Sequence, residues 1–285
     1  MQFTNFFIFA SLVKKRAITR EFPSKQREVK NMSKLGIEYE RKRKKDEKIE
    51  KACADWLDKF FYSKWPDYKL DRRTDQEMQF AGVDIILHGT KHKSVFIDEK
   101  AKVRKRLGQV ITHPSFEIIV KNRNGVFFPS WLVSEKSKAT AYGFISVVEA
   151  KTQNENALTE ADIDRVVYGL VDKAKLWDYI RNNLMQSPAM LILSAQQLVM
   201  DYECTFDRDK PNDVHILSRD SDGRRKAYLK VRQPKAEEPE MPVNLVIRRD
   251  VLRANGLITE YDINRDGFSY YKPERKLEEF FKYYD

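Results

Sequence analysis

Between Gly82 and Ala101 the chain reads GVDIIL, then HGTKHK, then SVFIDEKA. Two β-branched, apolar runs flank a polar stretch that contains glycine. This order predicts a β-hairpin, with one strand over 82–87 and its return over 94–101. A hairpin constrains the rest of the chain because its register decides which side chains share a face. Successive residues of a strand point to opposite faces, so Asp98 and Lys100 point one way and Glu99 the other. If the strands pair antiparallel, Asp84 comes near Asp98 across the ladder.

Other elements follow from local pattern. Ile49, Ala52, Cys53, Trp56, Leu57, Phe60 and Phe61 recur at steps of three and four, so an amphipathic helix precedes the hairpin. Trp65-Pro66 ends it. YKLDR (68–72), FEIIVK (116–121), GVFFPSWLV (125–133) and AYGFISVV (141–148) read as strands, with NRNG and SEKSK as turns. Thr159 is placed to cap a long helix whose apolar positions begin at Ile163, Val166 and Val167 and continue to Ile180. Further on, KAYLKVR and VNLVIRR read as strands and LEEFFKYY as a closing helix. In DINRDG, Asp262, Asn264, Asp266 and Gly267 read as a turn, since no glutamate follows at calcium-loop spacing.

The chain has 285 residues, 41% of them hydrophobic, enough for a sizeable core. Its net charge of +10 favours a polyanionic partner. FFIFASLV near the start is far shorter than a membrane span and lacks a basic flank before it. Met32 opens MSKLGIEYERKRKK, which reads as a natural start. Residues 1–31 are therefore expected to be an N-terminal extension, either not native or disordered, followed by a core over 32–185 and a C-terminal elaboration over 186–285 packed on it. Cys53, Cys204 and the four histidines have no metal-ligand spacing, and nothing points to an oxidising compartment. A soluble, cytoplasmic protein with reduced cysteines and no membrane partner is expected.

Asp84 and Asp98, held close and partly buried, repel each other and need a cation or a proton between them. Lys100 supplies one positive charge, and a magnesium ion would supply more. Magnesium takes one or two carboxylates and leaves room for phosphate oxygens, which is equipment for phosphodiester hydrolysis. An amphipathic helix, a strand carrying Gly-Val-Asp and a strand ending Asp-Glu-Lys together resemble the PD-(D/E)XK nuclease superfamily over about residues 43–150. The resemblance implies a restriction-endonuclease-like α/β fold, an α-β-β-β-α-β core with a mixed central sheet. It implies a metal site for Mg²⁺ or Mn²⁺ from Asp84, Asp98 and the backbone carbonyl of Glu99, with Lys100 orienting or activating the attacking water. Glu50 is the candidate for the glutamate that many members carry on the first helix, with Asp55 as second choice. Gln79 and Glu117 are candidates for the same pocket. Lys102 stands where many members have glutamine.

The basic run with Arg41, Lys42 and Arg43, and the patch with Lys102, Arg104, Lys105 and Arg106, would hold a nucleic-acid backbone without reading sequence. DNA is the expected substrate ahead of RNA. A double-strand cutter of this kind usually needs two sites, which is compatible with a homodimer. Two other readings stay open. One is a nucleic-acid-binding protein that keeps the fold without cutting. The other is a protein-interaction module in which the acids and lysine are surface pairs.

Overall fold

The computed structural model describes residues 44–101, 110–122, 124–152, 154, 157–204, 212–232 and 240–270. The fold is mixed α/β, built on two sheets. The first has seven strands, ordered β1 (Tyr68–Arg72), β2 (Ile85–Gly89), β3 (Val95–Ala101), β6 (Ala141–Ala150), β7 (Ile163–Asp172), β11 (Ile258–Asn264) and β12 (Phe268–Tyr270). All its neighbours pair antiparallel except β3 and β6, which run parallel. The second sheet is ordered β5 (Phe127–Pro129), β4 (Ser115–Asn122), β10 (Glu240–Ile247), β9 (Arg225–Arg232) and β8 (Asn212–Arg219). Both sheets therefore draw strands from either side of residue 185.

Each face of the first sheet has its own apolar core. Helix α1 (residues 44–60) buries Ala52, Cys53, Trp56 and Leu57 against Ile85, Leu87, Ile97, Ile145, Tyr168 and Tyr261. The Trp56 indole also donates to the Ile163 carbonyl at 2.9 Å. On the other face Tyr142, Phe144 and Val171 pack against the second sheet and against α3 (Lys173–Asn183) and α4 (Pro188–Cys204). Cys53 is buried and free, and burial pushes its thiol up to about 12, so it acts as a small apolar side chain. Among the described residues no helix is long and apolar enough to cross a membrane.

Two elements differ from the sequence expectation. Thr159 caps only a single 3-10 turn, Glu160–Asp162, and the chain then becomes β7 instead of a long helix. β7 lies between β6 and β11, and Val166, Val167, Tyr168, Leu170 and Val171 are all buried. A strand covered on both faces carries an unbroken apolar run, which local spacing does not separate from a helix. The helix starts later, at Lys173, where the Asp172 carboxylate accepts from the Lys175 amide at 2.9 Å. The strand expected over 125–133 shortens to β5, an edge strand ending at Pro129, a residue with no amide proton to give. The closing LEEFFKYY segment and residues 1–31 lie outside the described residues.

Candidate active site

The hairpin forms in the register that sets Ile85 opposite Ile97 and Leu87 opposite Val95. Asp84, one residue before β2, lies just outside the paired register: its amide donates to the carbonyl of Ile97, the residue opposite Ile85, at 2.9 Å. Its carboxylate oxygen Oδ2 in turn accepts from the Glu99 amide at 2.7 Å. Gly82 makes this entry geometry possible. Its φ is +68°, and a side chain there would strike the Trp131 ring at 2.8 Å.

Asp98 is 2% exposed and sits across from Tyr142 on β6. Its Oδ1 lies 2.8 Å from the Lys100 ammonium, while its Oδ2 is buried and, among the described residues, has no hydrogen-bond donor. The Tyr142 hydroxyl is likewise buried and unpartnered. Burial raises the pKa of Asp98, opposed by the positive charge of Lys100. Burial and then the charge of Asp98 push Asp84 from 3.8 up to about 6. Burial acts to lower the pKa of Lys100, but the carboxylates of Asp98 and Asp84 outweigh it and hold the ammonium protonated. The Lys100 side chain is 47% exposed, with its ammonium on Asp98.

Glu99 points to the opposite face, as strand alternation requires. Its carboxylate is 6% exposed and accepts from the Tyr62 hydroxyl at 2.7 Å and from Arg72 at 2.9 Å. Arg72 also grips Asp58, and Tyr62 shares a hydrogen bond with Tyr168 at 2.9 Å. This network ties α1, β1, β3 and β7 together beneath the acids.

The remaining candidates divide. Glu50 is exposed on α1, yet desolvation lifts its pKa, with Lys100 acting against and Asp84 adding to the rise, so it stands at the rim of this cluster. Asp55 pairs with Lys51 at the surface instead. Glu117 on β4 accepts from the buried Ser130 hydroxyl, and its pKa is raised by burial against the charge of Lys100, which brings it to the same side as Asp98. Gln79 is exposed on α2 (Gln76–Phe80) and makes no hydrogen bond to either acid. Arg41, Lys42, Arg43, Lys102, Arg104, Lys105 and Arg106 lie outside the described residues.

Sequence reasoning missed Lys173 and Tyr142. Lys173 donates to the Trp131 carbonyl and the Ser137 hydroxyl, both at 3.0 Å. Burial lowers its pKa to about 8, with Asp98 acting in the opposite direction. Neither residue has a local signal, because both reach Asp98 only through the pairing of β3, β6 and β7. Among the described residues no group of three or more His, Cys, Asp or Glu side chains is arranged to hold a metal ion.

The Asp84–Asp98 pair carries a pH signature. Folded, Asp84 keeps its proton up to about pH 6; at its ordinary 3.8 it would release it sooner. Between these values the folded chain binds more protons than the unfolded one, so stability falls as pH rises from about 4 to about 6. Asp84→Asn should flatten that slope and raise stability at pH 8 by up to about 2–3 kcal/mol, at about 1.4 kcal/mol per unit. Urea unfolding across this pH range checks it, and an unchanged slope in the variant would contradict it.

Comparison of the chain with protein-family models, with curated proteins and with solved structures found no match.

Proposed function

We propose that the chain is a divalent-cation-dependent nuclease of the PD-(D/E)XK type, hydrolysing phosphodiester bonds, of DNA ahead of RNA. The observation that carries this reading is the pair of neighbouring acids, Asp84 and Asp98, with Lys100 held on the second of them. Support also comes from α1, the β1–β2–β3 meander and the parallel addition of β6 in a mixed sheet. The chain departs from the family core between β3 and β6, where the described residues carry β4 and β5 of the second sheet instead of a helix.

The donor set fits a small hard cation. Two carboxylates suffice for Mg²⁺ or Mn²⁺, and the buried, unpartnered Oδ2 of Asp98 is a carboxylate oxygen in want of a charge. Asp84, Asp98 and the Glu99 carbonyl would hold it. When bound, the ion supplies Lewis-acid polarisation of the phosphate. The Lys100 ammonium donates a hydrogen bond that orients the attacking water and offsets charge gathering on the phosphate oxygens. Water oxygen bonds to phosphorus and gives up a proton to solvent, the bridging P–O bond breaks, and the departing oxygen takes a proton from solvent. Glu50 at the rim would exchange protons with that solvent.

A second reading, nucleic-acid binding without cutting, is favoured by the lack of a third ligating side chain among the described residues and by Lys102 in place of glutamine. Incubation with plasmid and with single-stranded DNA, in Mg²⁺, Mn²⁺ or EDTA, separates the two. Cleavage that requires the cation is expected. Salt-sensitive binding with no cleavage in either metal would favour the second reading.

A further inference from the structure

Away from the carboxylates, the second sheet builds a basic groove. An open cavity of about 740 Å³ is lined by Arg219, Arg224, Arg225, Arg248, Arg249 and Arg253. Three segments make it: the β8–β9 turn, the start of α5 (Arg249–Ala254), and residues 110–113. The last segment is pinned to the first sheet, where the Ile111 amide donates to Ser146 at 3.0 Å. Ser146 lies four residues along β6 from Tyr142, the partner of Asp98, or roughly 13 Å of strand. The groove is thus a different place from the candidate active site.

Its arginines are held by carboxylates, one of which, Asp250, lines the groove itself. Asp220 accepts from Arg224 at 3.0 Å and Arg248 at 2.7 Å, as well as from the amides of Asp222 and Arg224. Arg248 also forks onto Asp250 at 2.9 and 2.5 Å. Glu260 takes both Arg249 and Arg253, and Arg249 donates to the Ile111 carbonyl at 3.0 Å. These acids set the angles of the guanidinium groups, so less conformational freedom remains to be lost when a ligand arrives.

Arg219 and Arg225 are different. Both are exposed, and among the described residues no carboxylate pairs with either. Arg219 donates to the Gly223 carbonyl, at 2.5 Å, and the Arg225 guanidinium lies 5.7 Å from the Tyr228 ring centre. Two uncompensated guanidinium charges facing a cavity match a phosphate monoester, which carries about −1.5 to −2 charge at pH 7. The planar fork of arginine suits paired phosphate oxygens, and Tyr228 beside Arg225 offers a flat surface for a base. A cavity of this size is in the range for a small ligand, about 300–1,000 Å³.

We propose that this arginine groove binds the phosphate of a nucleotide, either free or carried on a nucleic-acid strand. The proposal does not rest on the nuclease reading. Its test uses the full chain at low salt in EDTA, so that neither metal nor cleavage intervenes. Adenosine monophosphate, adenosine, inorganic phosphate and a short single-stranded oligonucleotide are titrated by calorimetry. Adenosine monophosphate should bind and adenosine should not. The Arg219→Gln/Arg225→Gln double variant should weaken that binding at least tenfold while its unfolding midpoint stays unchanged, since both side chains are exposed. Tyr228→Ala should weaken adenosine monophosphate more than inorganic phosphate. Asp98→Ala should leave the nucleotide affinity in place. If the oligonucleotide displaces the mononucleotide and binds more tightly, the phosphate comes from a strand; if it binds no better, the ligand is a free nucleotide. Absence of binding by both, an affinity untouched by the double substitution, or its loss in Asp98→Ala would overturn the proposal.

Discussion

Asp98→Ala is expected to reduce cation-dependent cleavage by about a thousandfold, the scale set by removing one preorganised charge from a reacting centre. The substitution removes the most buried of the clustered acids and the oxygen on which Lys100 rests. DNA binding should change little or improve, because a carboxylate repels phosphate unless a cation lies between them. Lys100→Ala should also stop cleavage by a similar factor. Metal binding should survive it, because both carboxylates remain and their mutual repulsion has lost its internal compensation. Thermal unfolding with and without Mg²⁺ separates the two variants. The wild type and Lys100→Ala should be stabilised by the ion, and Asp98→Ala should not. Cleavage by Asp98→Ala at the wild-type rate would remove the basis of the nuclease reading, since among the described residues Asp98 is the acid that forms an ion pair with Lys100.

The second large effect belongs to the opposite face of β3. Arg72→Ala should destabilise the fold by about 3–5 kcal/mol, because it leaves the carboxylate of Glu99 buried with tyrosine hydroxyls but, among the described residues, no cation as partner. Asp58 loses its partner as well, though at a more exposed position. Glu99→Gln should be milder, since an amide oxygen can still accept from Tyr62 or Arg72. Replacing Arg72 and Glu99 together with apolar residues of similar volume should cost less than Arg72→Ala alone, because no buried charge is then left unpaired. Urea unfolding of the three variants measures this order. A loss below about 1 kcal/mol in Arg72→Ala would mean that water reaches Glu99. The network has a positional consequence. By fixing Glu99 on the α1 side it prevents a one-residue slip of β3, and such a slip would exchange the faces of Asp98 and Glu99.

How much of this was legible beforehand follows from the range of each interaction. The hairpin over 82–101, the α1 helix, the β1 strand and the split of Asp98 and Lys100 from Glu99 depend on near neighbours. Backbone alternation and apolar spacing act over a few residues, and the sequence carries both. The turn at Asn264 was equally local: its side chain accepts from the amides of Asp266 and Gly267. Residues 163–172 were not legible, because helix and strand are both consistent with an apolar run. The burial of that run on both faces comes from β6, β11, α1 and the second sheet, elements distant in the chain.

The same reason separates the parts of the candidate site. Asp84 and Asp98 are fourteen residues apart on one hairpin, so their meeting was foreseeable. Tyr142, Lys173 and Glu117 reach the cluster by the parallel β3–β6 pairing, the β7–α3 junction and the second sheet. The arginine groove is more remote still, since residues 110–113, 219–228 and 248–253 meet only when β10 has paired with both β4 and β9. By itself, the sequence determined which side chains share a strand face. Only the tertiary structure decided which strands lie side by side, because long-range pairing depends on the burial of whole faces and not on any local run of residues.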